Sequence, residues 1–241
     1  MKIFFDSVGC RLNQAEIEHL ANRFKRAGHL IVEKAKNADL VVINTCAVTA
    51  AAASDSREKA RLAYKAGAKE IVLTGCWATL DPQAAGSLAG VMRVVTNREK
   101  ESFGNDLPGI STTEFNSEPI IREPLPGIHR RTRAFIKAQD GCDNFCTFCV
   151  TRLARGAGVS VPLEEVIRDV DSAIRGSVKE IVLSGVHLGS WGNDFHNGSR
   201  LKELIQAILD RTEIQRVRLS SIEPWDLDRS FFDLWQDPRM C

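Results

Sequence analysis

Apolar and polar positions change period repeatedly along the chain, from contiguous apolar runs to helical spacing and back. Lys2-Ile3-Phe4-Phe5-Asp6-Ser7 reads as a strand. Ile17, Leu20, Ala21 and Phe24 follow at i, i+3, i+4 and i+7, which predicts an amphipathic helix stopped by Gly28. Asp39-Leu40-Val41-Val42-Ile43-Asn44 suits a strand buried on both faces. An alanine-rich helix runs from Ala50 to Ala66, Glu70 to Thr74 makes a third strand, and Asp81-Pro82 reads as an N-cap with proline at the first helical position. Val91 to Thr96 completes a fourth strand. This rhythm predicts an α/β domain, residues 1–104, built on an open parallel sheet.

Pro108, Pro119, Pro124 and Pro126 interrupt the pattern, and Gly, Ser and Thr surround them. A proline-rich linker is expected over 105–131. Alternation then resumes over 132–241. Arg133 to Gln139, Glu180 to Ser184 and Arg216 to Ile222 read as strands. Pro162 to Ala173 and Leu201 to Leu209 read as helices, and a final helix begins near Arg229. Three βα units do not close a barrel, so the expectation is a chain that ends within its second domain.

Composition narrows the class. The chain has 241 residues, 44% hydrophobic and 26% charged, the profile of a globular protein with two domains. Lys and Arg number 32 against 31 Asp and Glu, so no strongly basic surface is expected. No apolar run reaches the roughly 18 residues of a membrane span, and MKIFFDSVGC lacks a secretory pattern. There are seven cysteines, an odd number, in a chain expected in the cytoplasm, where thiols stay reduced. A disulfide scaffold is therefore excluded as the reading.

Six of the cysteines form two trios. Cys10, Cys46 and Cys76 each follow one of the first three predicted strands, so a parallel sheet would bring them to one rim, where ligands bind. Three thiolates there would repel one another unless a cation or cluster joined them. Burial as small hydrophobes is the bland alternative. Cys142, Cys146 and Cys149 occupy a C-x3-C-x2-C loop after the fifth strand. A structural zinc site wants four ligands in paired sets. A simple electron-transfer [4Fe–4S] cluster also takes four cysteines. Three cysteines leave one iron without a protein ligand, which favours catalysis over electron carriage.

C-x3-C with Phe148 immediately before the last cysteine resembles the radical S-adenosylmethionine superfamily. The resemblance implies a partial (β/α) barrel. It also implies an open iron that chelates S-adenosylmethionine, and reductive cleavage of the cofactor to a 5′-deoxyadenosyl radical. It places Phe148 against the adenine, Gly185 and His187 in the segment that meets the cofactor's amino group, and Arg155 at the cofactor.

Gly9-Cys10-Arg11-Leu12-Asn13-Gln14 with Glu16, Asn44-Thr45-Cys46 and Thr74-Gly75-Cys76 narrow the likeness to the methylthiotransferases. That family implies a second [4Fe–4S] cluster on the dispersed trio, which supplies the inserted sulfur. It also implies two S-adenosylmethionine molecules, and an electron donor such as flavodoxin or ferredoxin. Arg11-Leu12-Asn13-Gln14 and Ser220-Ser221-Ile222-Glu223-Pro224 resemble the branch acting on threonylcarbamoyladenosine in the anticodon stem-loop of tRNA. Sister branches act on isopentenyladenosine in tRNA or on an aspartate of a ribosomal protein. A fragment that holds clusters without chemistry is the remaining alternative.

The family's arginine-rich stretch after the third cysteine is only partly present. Arg155-Gly156 is kept, but Val159 and Val161 stand where arginines are expected. The family's remaining barrel strands and its C-terminal RNA-binding β-domain are expected to be missing. His129-Arg130-Arg131-Thr132-Arg133 could meet phosphates or be a solvated linker. Trp191, Trp225 and Trp235 could stack on a base, although core packing is the weightier reading, for Trp235 at least. His19, His29 and His196 read as surface or satisfied residues, and Cys241 has no role.

Overall fold

The structure is a computed structural model that describes residues 1–100, 102–105, 107, 110, 112–116 and 133–241. The prolines and most of the basic cluster of the expected linker lie outside the described residues. The described chain divides into two compact units, residues up to 116 with 146–155, and residues 133–145 with 156–241.

The first unit is a five-stranded parallel sheet. Its strands are β1 (Lys2–Ser7), β2 (Leu30–Ile31), β3 (Leu40–Thr45), β4 (Glu70–Gly75) and β5 (Val91–Val95), in the order β2-β1-β3-β4-β5. All six residues of β3 are buried. Successive side chains of a strand point to opposite faces, and β3 divides accordingly. Leu40 and Val42 pack with Ile17, Leu20 and Phe24 of α1 (Arg11–Arg26). Val41 and Ile43 pack with Ala60 and Ala63 of α2 (Ala50–Lys65). A run of contiguous apolar residues is what a strand covered on both faces requires.

Four more short helices belong to this unit: α3 (Cys76–Leu80), α4 (Pro82–Gly86), α5 (Thr112–Phe115) and α6 (Thr151–Arg155). Asp81 caps α4, accepting from the Ala84 amide at 3.1 Å with Pro82 at the first helical position, as the sequence predicts. Among the described residues beyond 104, Phe115 belongs to the core of this unit. Phe115 is fully buried, and the Phe24 ring lies 5.0 Å from it, 5.6 Å from Phe5 and 5.8 Å from Phe103. Arg23 covers the Phe115 ring at 4.0 Å. Isolated apolar residues among prolines carry no period, so nothing in the pattern marks this segment as part of a core.

The second unit holds the parallel sheet β10-β9-β6, made of β6 (Arg133–Lys137), β9 (Glu180–Ser184) and β10 (Arg216–Leu219). Helices α7 (Leu163–Arg175) and α8 (Leu201–Arg211) cover it, with Val166, Val170, Leu204 and Ile208 against Ile136, Ile181, Leu183 and Val217. The strand expected to run to Gln139 leaves this sheet after Lys137. Gln139–Asp140 (β7) pairs antiparallel with Val159–Ser160 (β8) instead. The final helix is a 3₁₀ segment, Arg229–Gln236, and Cys241 donates its amide to Val217 O at 3.1 Å on the edge of β10. At the amino-terminal rim the buried Glu180 carboxylate receives Arg133 at 3.2 Å, Arg216 at 3.1 Å and Arg218 at 3.0 Å. No closed barrel forms among the described residues, and no helix among them is long and apolar enough to cross a membrane.

Candidate functional site

Each dispersed cysteine sits where a strand of the first sheet hands over to a helix. Cys10 is the N-cap of α1, Cys46 follows β3, and Cys76 is the first residue of α3. Gly9 and Gly75 precede two of them with φ +92° and +94°, a region open to glycine and strained for other residues. A Cβ on Gly9 would overlap Cys46 Sγ, and one on Gly75 would overlap the Thr45 carbonyl. The glycines therefore let three strand ends close onto one rim. The electrostatics agree, because the Cys46 thiol is pushed above its ordinary value by burial first, and by Cys10 and Cys76 as neighbours. A buried thiol with two more beside it is the kind of donor a cationic iron–sulfur core would satisfy. Among the described residues no three Cys, His, Asp or Glu side chains close to the spacing of a single ion.

A buried polar network holds the rim. Asn13 Nδ2 donates to Val8 O and Thr45 O, both at 2.9 Å, tying the loops of Cys10 and Cys46 together. Asn44 Nδ2 donates to Asn13 O at 2.9 Å and to Glu16 Oε2 at 3.1 Å. Thr45 Oγ1 donates to Thr74 O at 2.6 Å and accepts from the Ala78 amide at 3.0 Å. Ser56 of α2, fully buried, accepts from the Cys46 amide at 3.0 Å. Glu16 then binds two cations, Lys100 at 2.6 Å and Arg155 at 2.8 Å, with Arg155 also donating to Asn13 Oδ1 at 2.6 Å. Buried charges are held only when paired and hydrogen-bonded.

Arg155 takes part in this network. Expected at the cofactor, its guanidinium is 1% exposed and engaged with Glu16 and Asn13. The fork of donors suits a carboxylate and an amide oxygen side by side.

The C-x3-C-x2-C loop presents its residues differently. Cys142 is half-buried, its amide donating to Gly156 O at 3.1 Å and its sulfur accepting from the Asn144 amide at 3.4 Å. The Cys149 thiol is held below its ordinary value, chiefly by the Thr151 side chain, with the Thr151 and Arg152 amides adding to it. A thiol inclined to the thiolate is a ready metal ligand. Phe148 is 87% exposed and Phe145 is exposed beside Cys146.

At the carboxyl rim of β6, β9 and β10, His187 Nε2 lies 2.6 Å from Asp226 Oδ2. A carboxylate only accepts, so Nε2 carries a proton, and Nδ1 faces Asn144 Nδ2 at 3.4 Å and Cys142 Sγ at 3.9 Å. Gly185 donates its amide to Ser220 Oγ at 3.2 Å.

Gln139 escaped the sequence reading. Its Oε1 accepts from the His187 amide at 2.9 Å, and its Nε2 donates to Asp140 O at 2.7 Å and Gly141 O at 2.9 Å. It joins the cysteine loop to the end of β9. A lone amide ending a strand carries no pattern that would single it out.

Trp191 is fully buried and donates to Val161 O at 2.9 Å, whereas Trp225 is 72% exposed. Trp235, expected in the core, is also exposed, its ring tilted against Phe231 at 5.9 Å and Phe232 at 6.3 Å. His29 is buried, with Nε2 unpartnered and its pKa lowered by that burial.

The chain is an α/β protein with one set of three cysteines at the strand ends of its first sheet and another in a C-x3-C-x2-C loop. Residues 2–96 match the family described as "Uncharacterized protein family UPF0004", and residues 136–236 match the Radical SAM superfamily. The chain thus carries a UPF0004 domain and a Radical SAM domain, and over most of its length it is about a third identical to curated methylthiotransferases.

Relatives include "Threonylcarbamoyladenosine tRNA methylthiotransferase MtaB" of Aquifex aeolicus (strain VF5), 34% identical over 97% of this chain and 59% of that protein. The protein of that name from Bacillus subtilis (strain 168) is 35% identical over 92% and 51%. The "tRNA-2-methylthio-N(6)-dimethylallyladenosine synthase" of Anaplasma marginale is 27% identical over 96% and 53%. This chain therefore spans little more than half the length of those relatives. Among solved structures, the radical S-adenosylmethionine methyltransferase TsrM of Kitasatospora setae shares the fold. Its TM-score is 0.65 at 16% identity, covering 99% of this chain and 58% of that one.

Proposed function

We propose that the protein modifies tRNA by inserting sulfur and a methyl group at C2 of N6-threonylcarbamoyladenosine beside the anticodon, giving the 2-methylthio derivative. The observation that carries the reading is the convergence of Cys10, Cys46 and Cys76 on one sheet rim, in a chain that also bears the C-x3-C-x2-C loop. One trio would suit a single cofactor site. Two separate trios suit a reaction that needs both a radical source and a sulfur source. The names borne by the Aquifex and Bacillus relatives support the threonylcarbamoyladenosine branch, and the Anaplasma relative keeps dimethylallyladenosine as the second reading.

Cys10, Cys46 and Cys76 would hold one [4Fe–4S] cluster and Cys142, Cys146 and Cys149 the other, each with one iron left open. When bound, the clusters supply one-electron cleavage of S-adenosylmethionine at the second trio and sulfur at the first. The chain's own residues do the rest. Gln139 fixes the end of β9 against the cysteine loop, and His187 holds a proton at Nε2 against Asp226. Phe148 offers an exposed ring to an adenine. The substrate is the tRNA anticodon stem-loop, the reductant a flavodoxin or ferredoxin, and the compartment the cytoplasm.

The test is anaerobic reconstitution followed by measurement of 5′-deoxyadenosine released under a strong reductant. Release by the unaltered chain and loss of it in Cys142→Ala is the expected result. Equal release by both would sink the radical assignment.

A further inference from the structure

We propose that Asn97 is a positioning and tuning residue, one side-chain amide that both donates to a sulfur of the dispersed trio and pins the helix following the C-x3-C-x2-C loop. This rests on the reading of Cys10, Cys46 and Cys76 as cluster ligands. Asn97 Nδ2 lies 3.8 Å from Cys76 Sγ and 2.9 Å from Ala154 O. An amide nitrogen has two hydrogens, enough for both partners at once.

Its placement does not depend on either contact. The Asn97 backbone amide donates to Thr79 Oγ1 at 2.9 Å, and that hydroxyl donates in turn to Gly75 O at 2.8 Å. Asn97 is therefore anchored to α3, the helix that Cys76 opens. On its other side α6 is already fastened to this unit one residue further on, through Arg155 to Glu16 and Asn13. Ala154 is buried. The amide thus occupies a fixed gap between two immobilised backbones, with Cys76 Sγ at its edge.

A hydrogen bond donated to a cluster thiolate stabilises the electron added on reduction, and such bonds are among the determinants of cluster potential. Asn97 would accordingly make the auxiliary cluster easier to reduce. The same amide would keep α6, and with it Cys149, in register with Cys76.

The full chain carrying Cys142→Ala, Cys146→Ala and Cys149→Ala isolates the dispersed trio. Its iron content is measured first. Iron near zero with normal folding would remove the cluster reading itself, apart from any role of Asn97. With about four irons bound, the midpoint potential is followed by EPR-monitored titration with and without Asn97→Leu, which has no donor, and Asn97→Asp, which keeps the shape. The expected outcome is retained iron and a midpoint displaced to more negative potential in both variants, with Asn97→Gln recovering part of the displacement. An unchanged midpoint would overturn the proposal. Loss of iron from both Asn97→Leu and Asn97→Asp would also overturn it, leaving Asn97 a purely structural residue.

Discussion

Glu16 lies between two buried cations, on a helix that begins at one of the cysteines. Its neighbours Asn13 and Asn44 can be picked out from the chain because they stand within three residues of Cys10 and Cys46. Lys100 and Arg155 cannot be assigned to it that way, since they come from distant segments that only the fold brings in. Removing one partner of a buried ion pair leaves the other uncompensated, typically at about 3–5 kcal/mol. Glu16→Gln is expected to destabilise the first unit by about that amount, seen as an earlier urea midpoint with unchanged slope. The thiols differ as well. Cys46 is raised by burial and its fellow thiols, while Cys149 is lowered by its hydrogen bonds. Stripped of metal, Cys149 is expected to alkylate at lower pH than Cys46, which peptide mass spectrometry of a pH series would show. The reverse order would contradict the assigned environments.

Elements were readable wherever burial imposed a period. The strands β3, β4 and β9 are contiguous apolar runs because both of their faces are covered. The two-residue strands β2, β7 and β8 are too short to show alternation at all. Over 229–236 the buried positions are Phe231 and Leu234, a spacing of three that serves a 3₁₀ turn as well as an α-helix. The segment ending in α5 shows the same limit. Phe115 is surrounded in sequence by turn formers, yet its ring completes the aromatic cluster around Phe24. Phe115→Ala is expected to cost about 3–5 kcal/mol, the usual penalty for emptying a large aromatic site. Cutting the protein at residue 104 should be comparably damaging. If a 1–104 piece melted at the same temperature as a 1–116 piece, the packing of α5 would carry no weight.

At the scale of the whole molecule, the sequence shows two groups of three cysteines, and the fold turns one dispersed set into neighbours. Spacings of 36 and 30 residues between Cys10, Cys46 and Cys76 mean nothing until each is recognised as one strand and its crossover. What stayed hidden was the apparatus between the loops, single amides such as Gln139 and Asn97 that repeat no pattern. The assembled chain is expected to bind about eight irons, falling to about four in either Cys46→Ala or Cys142→Ala. Iron and acid-labile sulfide assays on the two variants check this directly. A common loss of all iron would mean that the trios do not load independently.

Glu180 of β9 gathers three arginines from the two strands beside it, Arg133 of β6 and Arg216 and Arg218 of β10, at the rim opposite the cysteine loop. The second sheet is therefore fastened at one end and carries the cysteine loop and His187 at the other, a separation that lets loops vary on a fixed scaffold. Loops at that rim could then change in length and sequence while the arginine fastening stayed as it was. Grafting the loops after β9 and β10 from a relative of another specificity is the engineering counterpart, and it would leave Glu180 and its partners untouched.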